Sequence, residues 1–291
     1  MRFLVVASPA AGNTDDSQIA AALDVLRADG SDAVLHETGS PDELHAVLDR
    51  LDGRTLVVAG GDGSLHAVVQ ALHDRGELAS TALGLVPLGT GNDFARALEL
   101  PLEPEAAART VLTGTPRPLD LLVDDHGGVV VNSVHAGVGA AAARAAERWK
   151  GRLGRAGYAV GAITTAVNPP TVRVRVVVDG RLVCDGKVLQ VAVGNGVFVG
   201  GGTALTPEAD PTDGAADVLI ARPATGWAHV AYAAGLVVGK HHLREDVDTL
   251  RGTVVEVTGE AFWCSVDGEL TGPHHARRWS VEPSAYSLIT S

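Results

Sequence analysis

Residues 55–63 read Thr-Leu-Val-Val-Ala-Gly-Gly-Asp-Gly. Five strand-forming residues with no polar break run straight into three glycines out of four. Such a strand suits burial on both faces, the mark of a parallel sheet covered by helices. The glycines let backbone N–H groups approach a ligand closely, and Ser64 then opens a helical run over 65–73. A helix N-terminus after a glycine turn favours an anion. A plain strand-to-helix turn would need one glycine, so three point to phosphate. The grammar repeats from residue 83: Leu-Gly-Leu-Val-Pro, then Leu-Gly-Thr-Gly-Asn-Asp. Two such units side by side commit this part of the chain to an open parallel sheet. Its ligand crevice lies outside the carboxyl ends of the strands.

The surrounding pattern agrees. Strands are expected at 3–7 and 33–36, and helices at 17–28, 42–51 and from 92 onward. Past about residue 116 the alternation stops. Short strands follow at 119–123, 129–134, 172–178, 182–184, 188–193, 218–221, 253–258 and 262–266, with one alanine-rich helix at 140–149. Asp179-Gly180 has the form of a two-residue hairpin turn. The expected fold class is α/β: an N-terminal three-layer α/β nucleotide-binding domain with a parallel sheet, followed by a mostly antiparallel β-sandwich. The expected boundaries are 1–118 and 119–278, with 279–291 able to return to either domain.

Charge and composition narrow the function. The formal net charge is −12, from 35 acidic against 23 basic residues, which argues against a duplex-binding face and a nucleic-acid partner. Two cysteines, Cys184 and Cys264, form no local pair or zinc pattern, as expected for a reduced cytoplasmic protein. No uninterrupted apolar run reaches the ~18 residues of a membrane span; the longest candidate, 227–239, is broken by His229 and two glycines. Against the acidic background, Arg144, Arg148, Lys150, Arg152 and Arg155 cluster around Trp149 and Leu153. That segment suits either an anionic lipid surface or a solvated helix face. Gly137-Val-Gly139 matches a relaxed dinucleotide motif but lacks its later acid, and reads better as packing. His241-His242 and His274-His275 read as surface loop residues.

Within the crevice, Ser64 and Asn92 are placed as helix caps, and Thr90 adds a hydroxyl. Asp62 and Asp93 face the same space, and carboxylates beside a phosphate site suit magnesium. No Gly-x-x-x-x-Gly-Lys-Ser/Thr segment exists, so a P-loop kinase is excluded.

These residues carry a resemblance. Gly60-Gly-Asp-Gly-Ser with Pro87-Leu-Gly-Thr-Gly-Asn-Asp-Phe-Ala-Arg resembles the diacylglycerol kinase catalytic domain family, which includes bacterial lipid kinases, sphingosine kinases and ceramide kinases. Ser8-Pro-Ala-Ala-Gly12, Thr38, Asn132–Gly139, Gly194-Asn-Gly with Gly200-Gly-Gly, and Asp267-Gly-Glu269 follow in the family's order. The resemblance implies an ATP-dependent lipid kinase, with diacylglycerol or a related lipid as acceptor at a membrane surface. It implies ATP contacts from Ser8, Gly12, Thr38, Gly60, Gly61, Asp62, Gly63, Ser64, Gly89, Thr90 and Asn92. Glu269 matches the family's proton acceptor, and Asp62 and Asp93 act with it. Asp120 matches an acid of the Mg2+-linked network. A second, structural Mg2+ would take the Asp213 side chain and the carbonyls of Asp210 and Ala215. The chain departs from the family at Ser8, where asparagine is usual, and at His66-Ala67, where Asn-Glu is common. An NAD kinase and a catalytically silent nucleotide- or lipid-binding module remain alternatives, and the oligomeric state, a homodimer included, stays open.

Overall fold

The structure is a computed structural model that describes residues 1–8, 16–28, 30–137, 171–222 and 227–291, without the side chain of Trp227. Gly12, the expected helix at 140–149 and the basic segment 144–155 lie outside the described residues.

Four parallel strands lead the chain: β1 (Arg2–Ala7), β2 (Asp32–Glu37), β3 (Thr55–Gly60) and β4 (Ala82–Pro87), in spatial order β2-β1-β3-β4. They alternate with α1 (Asp16–Arg27), α2 (Pro41–Leu48), α3 (Asp62–Asp74), α4 (Asp93–Ala97) and α5 (Pro104–Thr113). The strand residues divide by parity, as a pleated sheet requires. Leu4, Val6, Leu56, Val58, Leu83 and Leu85 meet Leu44 and Leu48 of α2 and Leu65, Val68 and Leu72 of α3. On the other face, Phe3, Val5, Val57, Ala59 and Val86 meet Leu23 and Leu26 of α1 and Ala107, Ala108 and Val111 of α5. Both faces of β1, β3 and β4 are thus dry, which explains why these three strands carry no polar residue between their ends, whereas the edge strand β2 is only partly covered and carries His36.

The antiparallel part comprises β5 (Thr115–Asp124), β6 (Val129–Val130), β7 (Ser133–Gly137), β8 (Val172–Val178), β9 (Arg181–Val188), β10 (Gln190–Gly194), β11 (Phe198–Val199), β12 (Thr203–Ala204), β13 (Ala216–Ala221), β14 (Val247–Gly252), β15 (Val254–Val266) and β16 (Glu269–Thr290). Its core is built on Val174, Val176, Val191, Val193, Val218, Ile220, Val255, Val257, Phe262 and Trp279. Asp179-Gly180 makes the expected turn, with φ of +48° and +76° and Val178 opposite Arg181. The run 227–237 is a helix, α6 (Trp227–Val237), whose Tyr232 and Leu236 pack with Leu189, Ala192 and Leu219 of the sheet.

Two expectations need correction here. The strands at 253–258 and 262–266 are one strand, β15, interrupted only by irregular register near Thr258 and Phe262. His241 is not a surface residue: it is fully buried, with Nε2 2.8 Å from the Leu205 carbonyl. The segment 279–291 belongs to the long β16, which pairs first with β15, then with β5, and finally in parallel with β4 through Ser287 and Leu288. One continuous sheet therefore joins the two halves and fixes how the β15–β16 hairpin meets α3.

Candidate active site

The carboxyl ends of β3 and β4 open onto a cleft of about 720 Å³. Gly61, Gly63, Ser64, Gly89, Thr90 and Gly91 line it from the two turns, Ser8 and Thr38 from the ends of β1 and β2, and Glu269 from the facing hairpin. The two turns touch. A Cβ on Gly61 would stand 2.9 Å from the Gly89 Cα, and one on Gly89 2.5 Å from the Gly61 Cα. The Leu88 N–H donates to the Gly60 carbonyl at 2.9 Å. Glycine is needed at both places because backbone packs on backbone there. Gly63 is different: nothing lies within 4 Å of its added Cβ, so that side of the turn is open.

The caps differ from expectation. Helix α3 begins at Asp62 with Gly61 as its N-cap, and Ser64 lies inside the first turn. It is too far along the helix to cap it, and its hydroxyl is left on the cleft wall. Asn92 does precede α4, in the left-handed region at φ +51°, yet its amide serves the loop: Oδ1 accepts from the Gly89 N–H at 2.9 Å and Nδ2 donates to the Gly89 carbonyl at 2.8 Å. The start of α4 is capped from afar by Asp62, which accepts from the N–H groups of Asp93 and Phe94, both at 3.0 Å.

Each buried carboxylate of the region is held in a similar way. Asp93 accepts from Gly201 N–H at 2.9 Å and Gly202 N–H at 2.6 Å, tying the second-half glycine loop to the start of α4. Asp120 accepts from Gly214 N–H at 2.7 Å and Ser284 N–H at 2.8 Å. Asp267 accepts from the N–H groups of Val131, Asn132 and Ser133 at 2.7–2.9 Å. Glu269 follows at once in the hairpin turn, and no described residue donates to its side chain. Burial raises the Asp62 pKa above the usual carboxylate value; the N–H groups of Phe94 and Asp93 oppose the rise, and the charges of Asp93 and Asp267 add to it.

Asp62 and Glu269 line the same cleft. Asp93 is buried just behind it, among the glycines of both halves. Read from sequence, His66 is a departure and Asp267 a part of Asp-Gly-Glu, neither with an assigned role; their contact joins residues 201 positions apart. The signal for His66 was its departure from the family pattern.

Among the described residues no three His, Cys, Asp or Glu side chains converge as a metal cage. Magnesium does not require one, since it keeps several waters and takes one or two carboxylates plus substrate phosphates. Asp62 fits that role. Its Oδ2 and that of Asp93 stand 3.3 and 3.5 Å from the space a Gly91 Cβ would fill, and each carboxylate oxygen keeps a lone pair beyond its N–H bond. The loop 210–215 fits less simply. Asp210 Oδ1 accepts from Thr212 at its N–H and hydroxyl, and Asp213 accepts from the Ala215 N–H while pairing with Arg251. Its donor set suits magnesium only where Arg251 gives way. Beside it, Asp217 Oδ2 is buried without a hydrogen-bond partner, and the Arg251 Nε stands 3.7 Å from it as an ion pair. Desolvation, opposed by Arg251 and reinforced by Asp213, Glu208 and Asp210, pushes the Asp217 pKa up to about 6.

Residues 2–123 match the family model of the diacylglycerol kinase catalytic domain, and residues 132–290 match that of the YegS C-terminal NAD kinase beta sandwich-like domain. A Xanthomonas campestris pv. campestris relative named "Probable lipid kinase YegS-like" is 33% identical, over 95% of this chain and 92% of its own. This chain belongs to the diacylglycerol kinase family. A Pseudomonas aeruginosa relative of the same name is 35% identical over 75% of this chain and 71% of its own. Two crystal structures from Bacillus anthracis str. Sterne, one described as a diacylglycerol kinase, match over 100% of this chain and 95% and 97% of theirs, with TM-scores of 0.82 and 0.76 at 21% identity. An NAD kinase from Archaeoglobus fulgidus matches at a TM-score of 0.56 and 13% identity, over 100% of this chain and 94% of its own. That likeness is one of fold. The kinase is therefore a phosphotransferase, built as a three-layer α/β half followed by a β-sandwich. Among its described residues no helix is long and apolar enough to cross a membrane.

Proposed function

We propose that this kinase transfers the γ-phosphoryl group of ATP to the hydroxyl of a membrane lipid, diacylglycerol or a close relative. The observation that carries the reading is one cleft wall: two mutually packed glycine turns, one opening α3 and the other preceding α4, facing a hairpin that presents Glu269. Phosphoryl transfer asks for positioning and charge neutralisation more than for covalent chemistry. Gly61, Gly63 and Ser64 supply backbone donors and a hydroxyl at a helix N-terminus, and Thr90 a second hydroxyl from the neighbouring turn. Asp62 would hold magnesium, which when bound offsets charge on the phosphates. Asp93 holds the glycine loop of the second half against this site. Glu269 accepts the proton of the lipid hydroxyl as its oxygen attacks phosphorus, and the electron pair of the breaking bond leaves with ADP. The names of the curated relatives support a lipid acceptor.

The test is transfer from γ-labelled ATP to diacylglycerol, ceramide, sphingosine and NAD presented in parallel. Label in a lipid product supports the reading. Label only in NAD would reassign the enzyme, and label in none would leave a binding module.

A further inference from the structure

His66 sits one turn beyond Asp62 on α3 and lines the same cleft as Glu269. Its Nδ1 lies 2.8 Å from Asp267 Oδ2. A carboxylate partner requires Nδ1 to carry the proton and donate. The Asp267 side chain is only 4% exposed, and its remaining acceptor sites face three backbone N–H groups of the 131–133 segment. Asp267 and Gly268 form a tight turn, with φ of +45° and +92° and Val266 opposite Glu269. In so short a turn, the place of Asp267 dictates the place of Glu269. We propose that His66 is a positioning residue: its bond to Asp267 latches the β15–β16 hairpin to α3 and so fixes Glu269 against the phosphate turns. The inference rests on the reading of Glu269 as proton acceptor.

The latch is also charged. Burial by itself would lower the His66 pKa, but the hydrogen bond and charge of Asp267, followed by the charge of Glu269, raise it overall. The titratable groups facing the cleft around it are Asp267 and Glu269 on the hairpin, Asp62 and Asp74 on its own helix and His45 on α2. Because the folded pKa is raised, the ionic part of the latch is complete at low pH and is lost as pH rises through that pKa. The Nδ1–H bond survives in the neutral ring.

Turnover and ATP affinity of His66→Ala, His66→Asn, Glu269→Gln and the double variant His66→Ala with Glu269→Gln test the latch. A hydrogen bond to a charged group is worth enough that kcat of His66→Ala should fall about 10- to 100-fold. ATP affinity should stay within about threefold, because only the hairpin is released. Asparagine places Nδ2 where histidine places Nδ1, so His66→Asn should recover most of the rate and flatten the pH profile of kcat. The double variant should be no slower than Glu269→Gln, since coupled residues are non-additive. Unchanged kcat in His66→Ala, or fully additive losses, would overturn the proposal. NMR titration of the His66 ring gives a reading independent of turnover: Asp267→Asn and Glu269→Gln should each lower its pKa. If wild type phosphorylates no acceptor while those pKa values fall, the functional reading fails and the latch stands. If they do not move, the latch fails.

Discussion

Gly61 and Gly63 are two residues apart in the same turn, yet substitution at each should move stability in opposite directions. The Gly61→Ala methyl would sit 2.9 Å from the Gly89 Cα and 3.6 Å from its nitrogen. Carbon atoms prefer about 3.5–4.0 Å, so the two turns must part by roughly 1 Å. Overpacking of this kind costs about 1–3 kcal/mol, or a melting temperature lower by several degrees at about 2–4 °C per kcal/mol. Parting the turns also misaims the phosphate donors. Each hydrogen bond to a charged group is worth about 1.5–3 kcal/mol, so ATP affinity should fall at least tenfold. Gly63→Ala meets nothing within 4 Å and lies inside α3, where alanine is favoured over glycine by about 0.5–1 kcal/mol. Its melting temperature should rise by a few degrees. Its methyl nevertheless enters the space assigned to phosphate, so ATP binding should weaken in this stabilised variant too. Calorimetric titration with ATP beside thermal melts reads both quantities. A Gly63→Ala protein that binds ATP as wild type does would show that the phosphates do not lie against this turn.

Glu269→Gln should lower lipid phosphorylation by about 100- to 10,000-fold, the usual share of general-base catalysis, with ATP affinity nearly kept; an unaffected rate would remove Glu269 from the mechanism. Wild-type melting temperature should rise with Mg2+, and Asp213→Ala should abolish the rise, because a ligand held only by the native state stabilises it. A melting temperature indifferent to Mg2+ in both proteins would leave Arg251 as the cation of that loop. With its folded pKa near 6 against an ordinary 3.8, Asp217 favours the fold while protonated and loses that contribution as pH rises from about 4 to 6. Asp217→Asn should therefore raise the melting temperature more at about pH 8 than at about pH 5, and an equal change at both would refute the assigned shift. Charge reversal of Arg148, Lys150 and Arg152 to glutamate should weaken binding to anionic vesicles, most at low ionic strength; equal binding would make the segment a solvated one.

What the sequence made legible was local. The strands around Val57 and Leu85 announce burial on both faces, and α2 and α3 on one side with α1 and α5 on the other supply it. Asp179-Gly180 announces a hairpin because its type of turn needs positive φ at both residues. The end of the chain was less legible. Alternating apolar residues in 279–291 fit any half-buried strand, and only the pairing of Ser287 and Leu288 with β4 shows which sheet they extend. His241 was misread for a related reason: a polar pair after an apolar helix suggests surface, whereas the carbonyl that receives it, Leu205, is distant in sequence.

The carboxylates show the same division more sharply. Asp62 and Asp93, read along the chain, are two acids beside glycine turns and so two equivalent candidate ligands. In the fold, their first duty is to backbone N–H groups that no local pattern reveals: those of α4 for Asp62, and those of Gly201 and Gly202, more than a hundred residues away, for Asp93. Asp120 and Asp267 are bound likewise. A carboxylate that accepts several N–H bonds is fixed in position, with those lone pairs occupied. Four acids of the region are thereby turned into fixed struts between the two halves. Glu269 stands two residues from one of those struts, on the cleft wall, with no described donor to its side chain. A general base needs a rigid placement together with a free lone pair; in the proposed mechanism Glu269 would have the second by itself and the first through Asp267 and His66.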